Sequence, residues 1–319
     1  MQRLVDAVLD ASIYFSFDRT GLLRHQRRFA PRDLDVDMSG RVCVVTGANS
    51  GLGREVARGL AQRRADVWLV CRNEARGREA RAELLPHSPD GRVFLEQLDV
   101  SDLAAVRAFA RRFPPERIDV LLHNAGLIPD GRVETAQGLE LTLATHVVGP
   151  YLLSQLLEPR LRAAGAARVI FVSSGGMYTC KLSLDDIDWR RRPYDGVAAY
   201  AQTKRMQVVL TELMAEQWRG GGIGCHAMHP GWADTPGVES ALPNFWKHMA
   251  GRLRSPAEGA DTALWLAVAA EPGASSGGFW FDRARVSAHY LPFTRESAAD
   301  RRALLEFVAK TSERSSSVA

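Results

Sequence analysis

A glycine-rich turn, Thr46-Gly47-Ala48-Asn49-Ser50-Gly51-Leu52-Gly53, constrains the fold of this chain more than any other stretch. An apolar, β-branched run precedes it and residues 54–61 carry apolar side chains at helical spacing, so a buried strand turns into a helix here. A helix start leaves N–H groups unpaired and carries partial positive charge, and glycines let an anion approach the backbone. The expected ligand is the pyrophosphate of a dinucleotide; the alternative is a tight strand–helix junction without a ligand. The predicted contacts are Gly47, Asn49, Ser50, Gly51, Leu52 and Gly53.

The rest of the chain alternates apolar strands with helices, a pattern typical of a parallel sheet covered on both faces. We therefore predict an α/β fold, a doubly wound Rossmann-type sheet of about seven parallel strands, within one domain at 40–290. Residues 1–39 are predicted to form a helical extension, 232–255 a substrate lid, and 291–319 a C-terminal helix with a disordered tail. The predicted strands are 42–46, 66–71, 93–99, 120–123, 167–173, 224–229 and 278–281, and the longer helices are 74–85, 101–113, 139–161 and 197–218.

Composition excludes several classes of protein. The 319 residues are 46% hydrophobic and 24% charged, as in an ordinary soluble globular protein. Arginines often stand in pairs, but no aromatic residues are interleaved with them, so they indicate solvated helix faces and no nucleic-acid partner. The four cysteines lack metal-type spacing, which predicts no metal site and a reducing, cytoplasmic compartment.

The N-terminal 30 residues contain no signal peptide or membrane-spanning run, but an apolar stripe at helical spacing. Leu4, Val5, Val8, Leu9 and Ile13 mark this stripe. An amphipathic helix that packs on the protein's own core or on a second subunit explains it. The alternative is a helix on a membrane surface, which would give the protein a peripheral membrane contact through residues 1–30.

The end of the second predicted strand bears on the choice of cofactor. Where an NAD-dependent dehydrogenase usually carries Asp or Glu for the ribose 2′-hydroxyl, this chain has Cys71, Arg72 and Asn73. Arg72 can pair with a 2′-phosphate through its planar guanidinium, so NADP is the predicted cofactor. The alternative is that Arg72 is merely an exposed residue at the end of the strand.

Two further strand ends are predicted to meet the glycine turn in one crevice at the carboxyl edge of the sheet. The third strand ends at Asp99-Val100, and the fourth is followed by Asn124-Ala125-Gly126. Small residues and an amide at the latter place would let the chain approach a nucleotide closely.

Tyr200 and Lys204 stand four residues apart in a predicted helix, so they share one helix face. A free Tyr titrates near ~10 and is a poor acid or base at neutral pH, but a nearby cation favours the phenolate. Tyr200 can then exchange a proton with a carbonyl or an alcohol. A hydroxyl of the pair Ser173-Ser174, at the end of the fifth strand, can hold the substrate oxygen against it; the alternative is a serine that only caps the strand end.

These motifs, in this order and together with Pro230-Gly231-Trp232-Ala233-Asp234-Thr235, resemble the short-chain dehydrogenase/reductase family over residues 40–285. The resemblance implies that Ser174 and Tyr200 are catalytic and that Lys204 also binds the nicotinamide ribose. It further places Asp99 and Val100 against the adenine. The contacts it implies near the nicotinamide are Asn124, Ala125, Gly126, Pro230, Gly231, Trp232 and Thr235.

One position departs from the family pattern. His146 stands where the family has an Asn that holds a water relaying protons to the Lys. An imidazole can bind water or relay protons itself, so His146 is predicted to be a modified relay; the alternative is a protein without turnover.

The predicted substrate is hydrophobic. The long interval between Ser174 and Tyr200 resembles the longer form of this segment in retinol-dehydrogenase-like members of the family. We expect it to form a wall of the substrate site. Trp232 and residues 237–253 are expected to form an apolar lid, with a packed helix as the alternative. The lid's apolar residues are Leu242, Phe245, Trp246 and Met249.

The sequence thus predicts an NADP(H)-dependent oxidoreductase that interconverts a hydrophobic carbonyl and an alcohol. The resemblance also implies a homo-oligomer formed through the two long helices. The alternatives are a dinucleotide-binding regulator with weak or no catalysis, and a membrane-surface dehydrogenase of the retinol or steroid type.

Overall fold

The computed structural model describes residues 9–10 and 12–314. A single sheet forms its centre, with strands β1 (Val42–Thr46), β2 (Asp66–Cys71), β3 (Val93–Gln97), β4 (Val120–His123), β5 (Ala167–Val172), β6 (Ile223–Met228), β7 (Gly278–Phe281) and β8 (Ala284–Arg285). Their order is β3-β2-β1-β4-β5-β6-β7-β8. The first seven strands run parallel, which confirms the predicted Rossmann-type α/β fold. The eighth strand was not predicted, because two residues paired antiparallel to β7 are too short for a periodic signal.

Helices cover both faces of the sheet. In chain order they are α1 (Ile13–Phe17), α2 (Arg19–His25), α3 (Gly51–Gln62), α4 (Glu74–Leu84), α5 (Leu103–Arg112), α6 (Leu141–Leu143), α7 (Gly149–Ala163), α8 (Gly196–Gln217), α9 (Pro236–Ala241), α10 (Pro243–His248), α11 (Pro256–Val268), α12 (Ala270–Gly273) and α13 (Ala298–Ser312). One buried core joins α3, α4 and α11 to one face, and a second joins α5, α7, α8 and α13 to the other.

The predicted helix at 139–161 is not a continuous α-helix. A π-helical segment, Ala144–Val148, lies between α6 and α7. Such wide turns occur mostly as single interruptions of α-helices and often at functional sites. This one carries His146 beneath the carboxyl edge of the sheet, where the Thr203 side chain binds one nitrogen of its ring and the backbone N–H of Leu127 binds the other.

The N-terminal extension packs on the rest of the molecule, and the prediction of one helix over 1–30 is wrong within the described residues. Asp18 ends α1 and caps α2, because its carboxylate accepts the N–H of Gly21 at 3.1 Å. Phe17 is buried against the rings of His229 and Phe281. Leu4, Val5 and Val8 lie outside the described residues.

The C-terminal helix α13 packs across α7 and α8 and buries Leu304 and Val308 there. The sequence analysis predicted that the two long helices contact a second copy of the chain. In the structure, α13 of the same chain covers part of that surface of α7 and α8. Residues 315–319 of the predicted tail lie outside the described part of the chain. Among the described helices, none combines the length and the hydropathy that crossing a membrane requires.

Candidate active site

A cleft of about 640 Å³ opens at the carboxyl ends of the parallel strands. Nearly all of the predicted site residues line it, although they come from distant parts of the chain. Those present are Gly47, Asn49, Ser50, Gly51, Leu52, Arg72, Asp99, Val100, Asn124, Ala125, Gly126, Ser174, Tyr200, Lys204, Pro230, Gly231, Trp232 and Thr235. Gly53, Asn73 and His146 are not among the residues that line it.

The first turn of α3 is suited to an anion. Its N-cap, Ser50, makes no side-chain hydrogen bond to the helix, whereas Asn73, Asp102 and Asp195 cap α4, α5 and α8 with theirs. The first N–H groups of α3 are therefore left without a capping side chain, and the positive end of the helix dipole faces the cleft. The glycine turn thus offers what a pyrophosphate requires.

Asn124 fixes the shape of that turn. Its amide Nδ2 donates to the carbonyls of Thr46 and Gly47 at 3.0 and 3.1 Å, and its own N–H donates to Thr46 Oγ1 at 3.0 Å. A Cβ added to Gly53 would lie 2.4 Å from Asn124 Nδ2. Gly53 therefore serves the packing of α3 on β4, outside the cleft. Thr46 was not singled out as a site residue from the sequence, because its role depends on Asn124, which follows 78 residues later.

The end of β2 presents Arg72 as an exposed side chain on the rim of the cleft. No acidic partner holds it among the described residues. Asn73 is committed elsewhere, since its side chain accepts the N–H of Arg76 at 3.0 Å and caps α4. Arg72 therefore stays a candidate for a 2′-phosphate, whereas the predicted contact of Asn73 with the cofactor would have to use atoms other than the capping Oδ1.

Tyr200 and Ser174 meet within the cleft, one at the start of α8 and the other just after β5. Ser174 Oγ accepts the N–H of Gly176 at 3.1 Å and forms a hydrogen bond with Tyr200. Burial raises the pKa of Tyr200 above its ordinary value, and the bond to Ser174 opposes that rise. The sequence analysis expected Lys204 to lower the pKa of Tyr200. In the protein chain alone this pKa is raised, so the expected lowering does not occur.

Lys204 is almost completely buried, at 3% exposure. Its Nζ donates to the carbonyl of Val172 at 2.7 Å and to Gln207 Oε1 at 3.1 Å, and lies 5.4 Å from the centre of the Tyr200 ring. Burial disfavours the charged form and lowers the pKa of Lys204 to about 7. The helical spacing of four residues places both groups at the cleft, as predicted.

His146 does not have the role that the sequence predicted. Its Nδ1 is 2.8 Å from Thr203 Oγ1, and its Nε2 accepts the N–H of Leu127 at 3.1 Å. Burial, with a smaller effect of Lys204, lowers its pKa well below 6.5, so the ring is neutral. Because both ring nitrogens are bound by the protein, the ring has no free nitrogen to hold a water or to relay protons in this arrangement. It joins the π-helical segment to α8.

Gln207 was missed by the sequence analysis. It accepts from Lys204 Nζ through Oε1 and donates from Nε2 to the carbonyl of His146 at 2.8 Å. Its position three residues after Lys204, on the same face of α8, is the only sequence signal for this link. Gln207 therefore connects the buried ammonium to the π-helical segment.

The remaining side of the cleft is apolar. Leu242 and Phe245 line it, as predicted, but Trp246 donates to Asp234 at 2.7 Å and Met249 is buried outside the cleft. Only three residues of the long insertion before Tyr200, Gly176, Thr179 and Val197, line this space, so most of the insertion does not form the expected wall. Further lining residues are Leu127, Ile128, Val197, Gly176 and Thr179.

Known proteins are similar to this chain over most of its length. A family model described as short chain dehydrogenase matches residues 41–244. Human dehydrogenase/reductase SDR family member 12 is 41% identical over 302 residues, which cover 93% of this chain and 94% of that protein. Human retinol dehydrogenase 12 is 34% identical over 252 residues, covering 78% and 79%. A Beutenbergia cavernae structure, described as an NAD(P)-dependent gluconate 5-dehydrogenase with low-occupancy NADP, aligns with a TM-score of 0.60 at 25% identity, covering 76% of this chain and 95% of that one.

Proposed function

This chain belongs to the short-chain dehydrogenase/reductase family, and on that premise we propose that it is an NADP(H)-dependent oxidoreductase acting on a hydrophobic carbonyl or alcohol. The observation that carries the proposal is the meeting of Ser174, Tyr200 and Lys204 in one cleft with the uncapped start of α3. The apolar side chains Leu242 and Phe245 favour a hydrophobic substrate.

The chain's own residues supply orientation and proton transfer. A nicotinamide cofactor, when bound, supplies or accepts the hydride. Tyr200 exchanges the proton with the substrate oxygen, and Ser174 holds that oxygen by a hydrogen bond. Lys204 favours the phenolate whenever it carries its charge, because a cation near the ring stabilises an anion there.

The end of β2 supports NADP over NAD. The α3 turn fits the pyrophosphate common to both, but Arg72 stands at the end of β2, where NAD-dependent enzymes usually carry an acidic residue. Without a carboxylate to repel it, a 2′-phosphate would meet a guanidinium that no described acidic side chain holds.

The test combines cofactor binding with turnover. Wild type and Tyr200→Phe are titrated with NADPH by fluorescence and assayed on a panel of apolar ketones and aldehydes. We expect Tyr200→Phe to bind NADPH normally and to lose about 10²–10⁴-fold in kcat, as for a missing general acid. Turnover that is unchanged in Tyr200→Phe would refute the catalytic assignment.

A second candidate function is a dinucleotide-binding regulator with little catalysis. The protein itself binds both nitrogens of the His146 ring, and an amide closes the inner side of Lys204. Neither arrangement offers an obvious route for protons to the solvent. Saturable NADPH binding without Tyr200-dependent turnover on the whole panel would favour this candidate.

Membrane contact, as in a surface dehydrogenase of the retinol or steroid type, is a further part of the proposal. Ile13, Phe15 and Leu23 are exposed apolar residues of the N-terminal helices, and arginines flank them. Because Phe17 and Asp18 are buried in the core, a truncation of residues 1–30 would damage the fold.

Point variants therefore test the membrane contact better than truncation does. We expect Phe15→Ser with Leu23→Ser to abolish flotation with phosphatidylserine vesicles. Val133→Ser, at an exposed apolar residue outside the N-terminal helices, should leave flotation unchanged. Equal flotation of the three chains would contradict the proposed contact.

The proposal also includes the cell compartment and the oligomeric state of the protein. The four cysteines are all free, which supports a reducing, cytoplasmic environment, to be checked by cell fractionation. We also propose a homo-oligomer, to be measured by light scattering. Since α13 lies across α7 and α8, self-association would use a surface that includes α13 or lies elsewhere.

A further inference from the structure

A second cavity, of about 760 Å³, opens at the opposite edge of the sheet, where β5 and β6 begin. The end of α8 and the segment before β7 complete its walls, and it shares no lining residue with the cofactor cleft. Its volume lies within the range of small-molecule sites in proteins. The charged and aromatic residues that line it are Arg168, Arg219, Arg285, His226, Trp218, Glu212 and Glu216.

The cations of this cavity lack counter-charges among the described residues. Arg168, on β5, donates to the carbonyl of Leu266 at 2.7 Å, and burial together with Arg41 lowers its pKa. No carboxylate opposes that shift. Arg219 and Arg285 are exposed on the rim and form no described ion pair. The cavity therefore holds three guanidinium groups whose charge the protein leaves uncompensated.

The two acidic residues of the cavity are already engaged. Glu212 pairs with Arg301 at 2.5 Å, and Glu216 lies 3.5 Å from the same guanidinium. That pairing joins α8 to α13 and draws both carboxylates toward Arg301. The balance of charge in the cavity is consequently positive.

A buried histidine adds an unsatisfied donor. His226 is fully buried, and its Nδ1 accepts the indole N–H of Trp280 at 3.1 Å, so in the neutral ring the proton lies on Nε2. Among the described residues that Nε2 makes no hydrogen bond of normal geometry, although the Pro272 carbonyl acts to raise the pKa of the ring. Burial, with Arg168 and Arg285, lowers the pKa of His226 to about 4, which keeps the ring neutral at physiological pH.

A second donor is equally unsatisfied. Trp218 is 1% exposed, and its indole Nε1 is buried with no acceptor in the part of the chain that the structure describes. Buried polar groups in proteins almost always find a partner, so two orphaned N–H groups at one cavity require an explanation. Both groups can only donate, and the three arginines can also only donate.

We propose that this cavity binds a small polyanion bearing phosphate or carboxylate groups, at a site separate from the cofactor cleft. The oxygens of such a ligand would accept from Arg168, Arg219 and Arg285 at the mouth and from the His226 Nε2–H within. The proposal does not depend on the enzyme activity proposed above, because it uses none of the same residues.

The experiment titrates the full chain with inorganic phosphate and, separately, with citrate, by calorimetry at constant ionic strength set with chloride. We expect saturable binding of at least one anion and at least a tenfold loss of affinity in the double variant Arg219→Ala/Arg285→Ala. Arg111→Ala removes an exposed arginine of α5 outside the cavity and should bind as wild type does. Binding of only one anion assigns the ligand class.

A second variant tests the buried donor without removing a cation. A methyl group at Gly224 would lie 3.4 Å from His226 Nε2, an ordinary contact, so Gly224→Ala should fold and yet weaken binding at least threefold. The proposal would be overturned if neither anion bound saturably. It would also be overturned if the double variant bound anions as tightly as wild type, since phosphate would then be held elsewhere, for example at the glycine turn. Self-association that depends on these arginines, without anion binding, would overturn it as well.

Discussion

Gln207 Oε1 accepts a hydrogen bond from Lys204 Nζ at 3.1 Å, deep beneath the cleft. The same side chain donates to the carbonyl of His146, so it joins the buried ammonium to the π-helical segment. Val172 supplies the other described acceptor of Lys204. Two neutral acceptors thus support a charge that burial disfavours.

Replacing Gln207 by Leu should therefore alter the titration of Tyr200. Loss of one bond to the ammonium, about 1.5 kcal/mol, lowers the pKa of Lys204 further by about one unit. With less positive charge nearby, the phenolate of Tyr200 is disfavoured. The rise of kcat/KM for alcohol oxidation with pH should therefore shift to higher pH. The control is Gln217→Leu, since the side chain of Gln217 bonds to that of Gln155 at the surface, away from Lys204. A profile of kcat/KM that does not move would show that Gln207 is only structural.

Arg72→Ala should discriminate between the two nicotinamide cofactors. A bond between charged partners contributes about 1.5–3 kcal/mol, so NADPH should bind roughly ten- to a hundredfold more weakly, while NADH should be nearly unaffected. Fluorescence titration of each cofactor measures this. Arg78→Ala, on the exposed face of α4, is the matched control. If NADPH and NADH lose affinity equally, Arg72 does not recognise the 2′-phosphate.

Gly53→Ala should damage both stability and cofactor binding. The added Cβ would lie 2.4 Å from Asn124 Nδ2 and 2.6 Å from the carbonyl of Gly47, so α3 would have to shift. Overpacking of this kind costs about 1–3 kcal/mol, measurable by chemical denaturation. Gly131→Ala, where a Cβ would meet nothing within 4 Å, should be tolerated. A normal affinity for NADPH in Gly53→Ala would contradict this account of the turn.

His25 should make the N-terminal extension sensitive to pH. Its ring is 2.6 Å from Asp282 and 2.9 Å from Asp10, and Arg254 and Arg24 bind the same two carboxylates. Burial alone would lower the pKa of His25, but the two carboxylates outweigh it and raise the pKa above 6.5.

Because the folded chain holds this proton more tightly than the unfolded chain, the stabilisation by His25 is complete below pH 6.5 and is lost as pH rises through the folded pKa. His25→Gln should cost about 1.5–3 kcal/mol at pH 6 and clearly less at pH 9. Unfolding of wild type and variant at both values measures this. The exposed His87 offers the control His87→Gln, which removes an imidazole that lies outside these ion pairs. An equal cost of His25→Gln at pH 6 and pH 9 would exclude the ion pairs.

The sequence located the strands and most of the cleft because these depend on local patterns. The apolar strands and the turn at Gly47 are encoded within a few residues, and Tyr200 and Lys204 share a face through helical geometry alone. By contrast, the sequence did not show that Asn73 caps α4 through its Oδ1; its contact with the cofactor stays a prediction. The single N-terminal helix was wrong because the carboxylate of Asp18 divides it.

By itself, then, the sequence determined the parallel sheet, the order of the motifs along its carboxyl edge, and the family to which they belong. Only the tertiary structure decided that His146 is held at both ring nitrogens, that Gln207 supports Lys204, and that Arg168 and His226 face a second cavity. The physical reason is the range of the interactions. Hydrophobic periodicity and helix capping act between near neighbours, whereas these contacts join residues that only the folding of the sheet brings together.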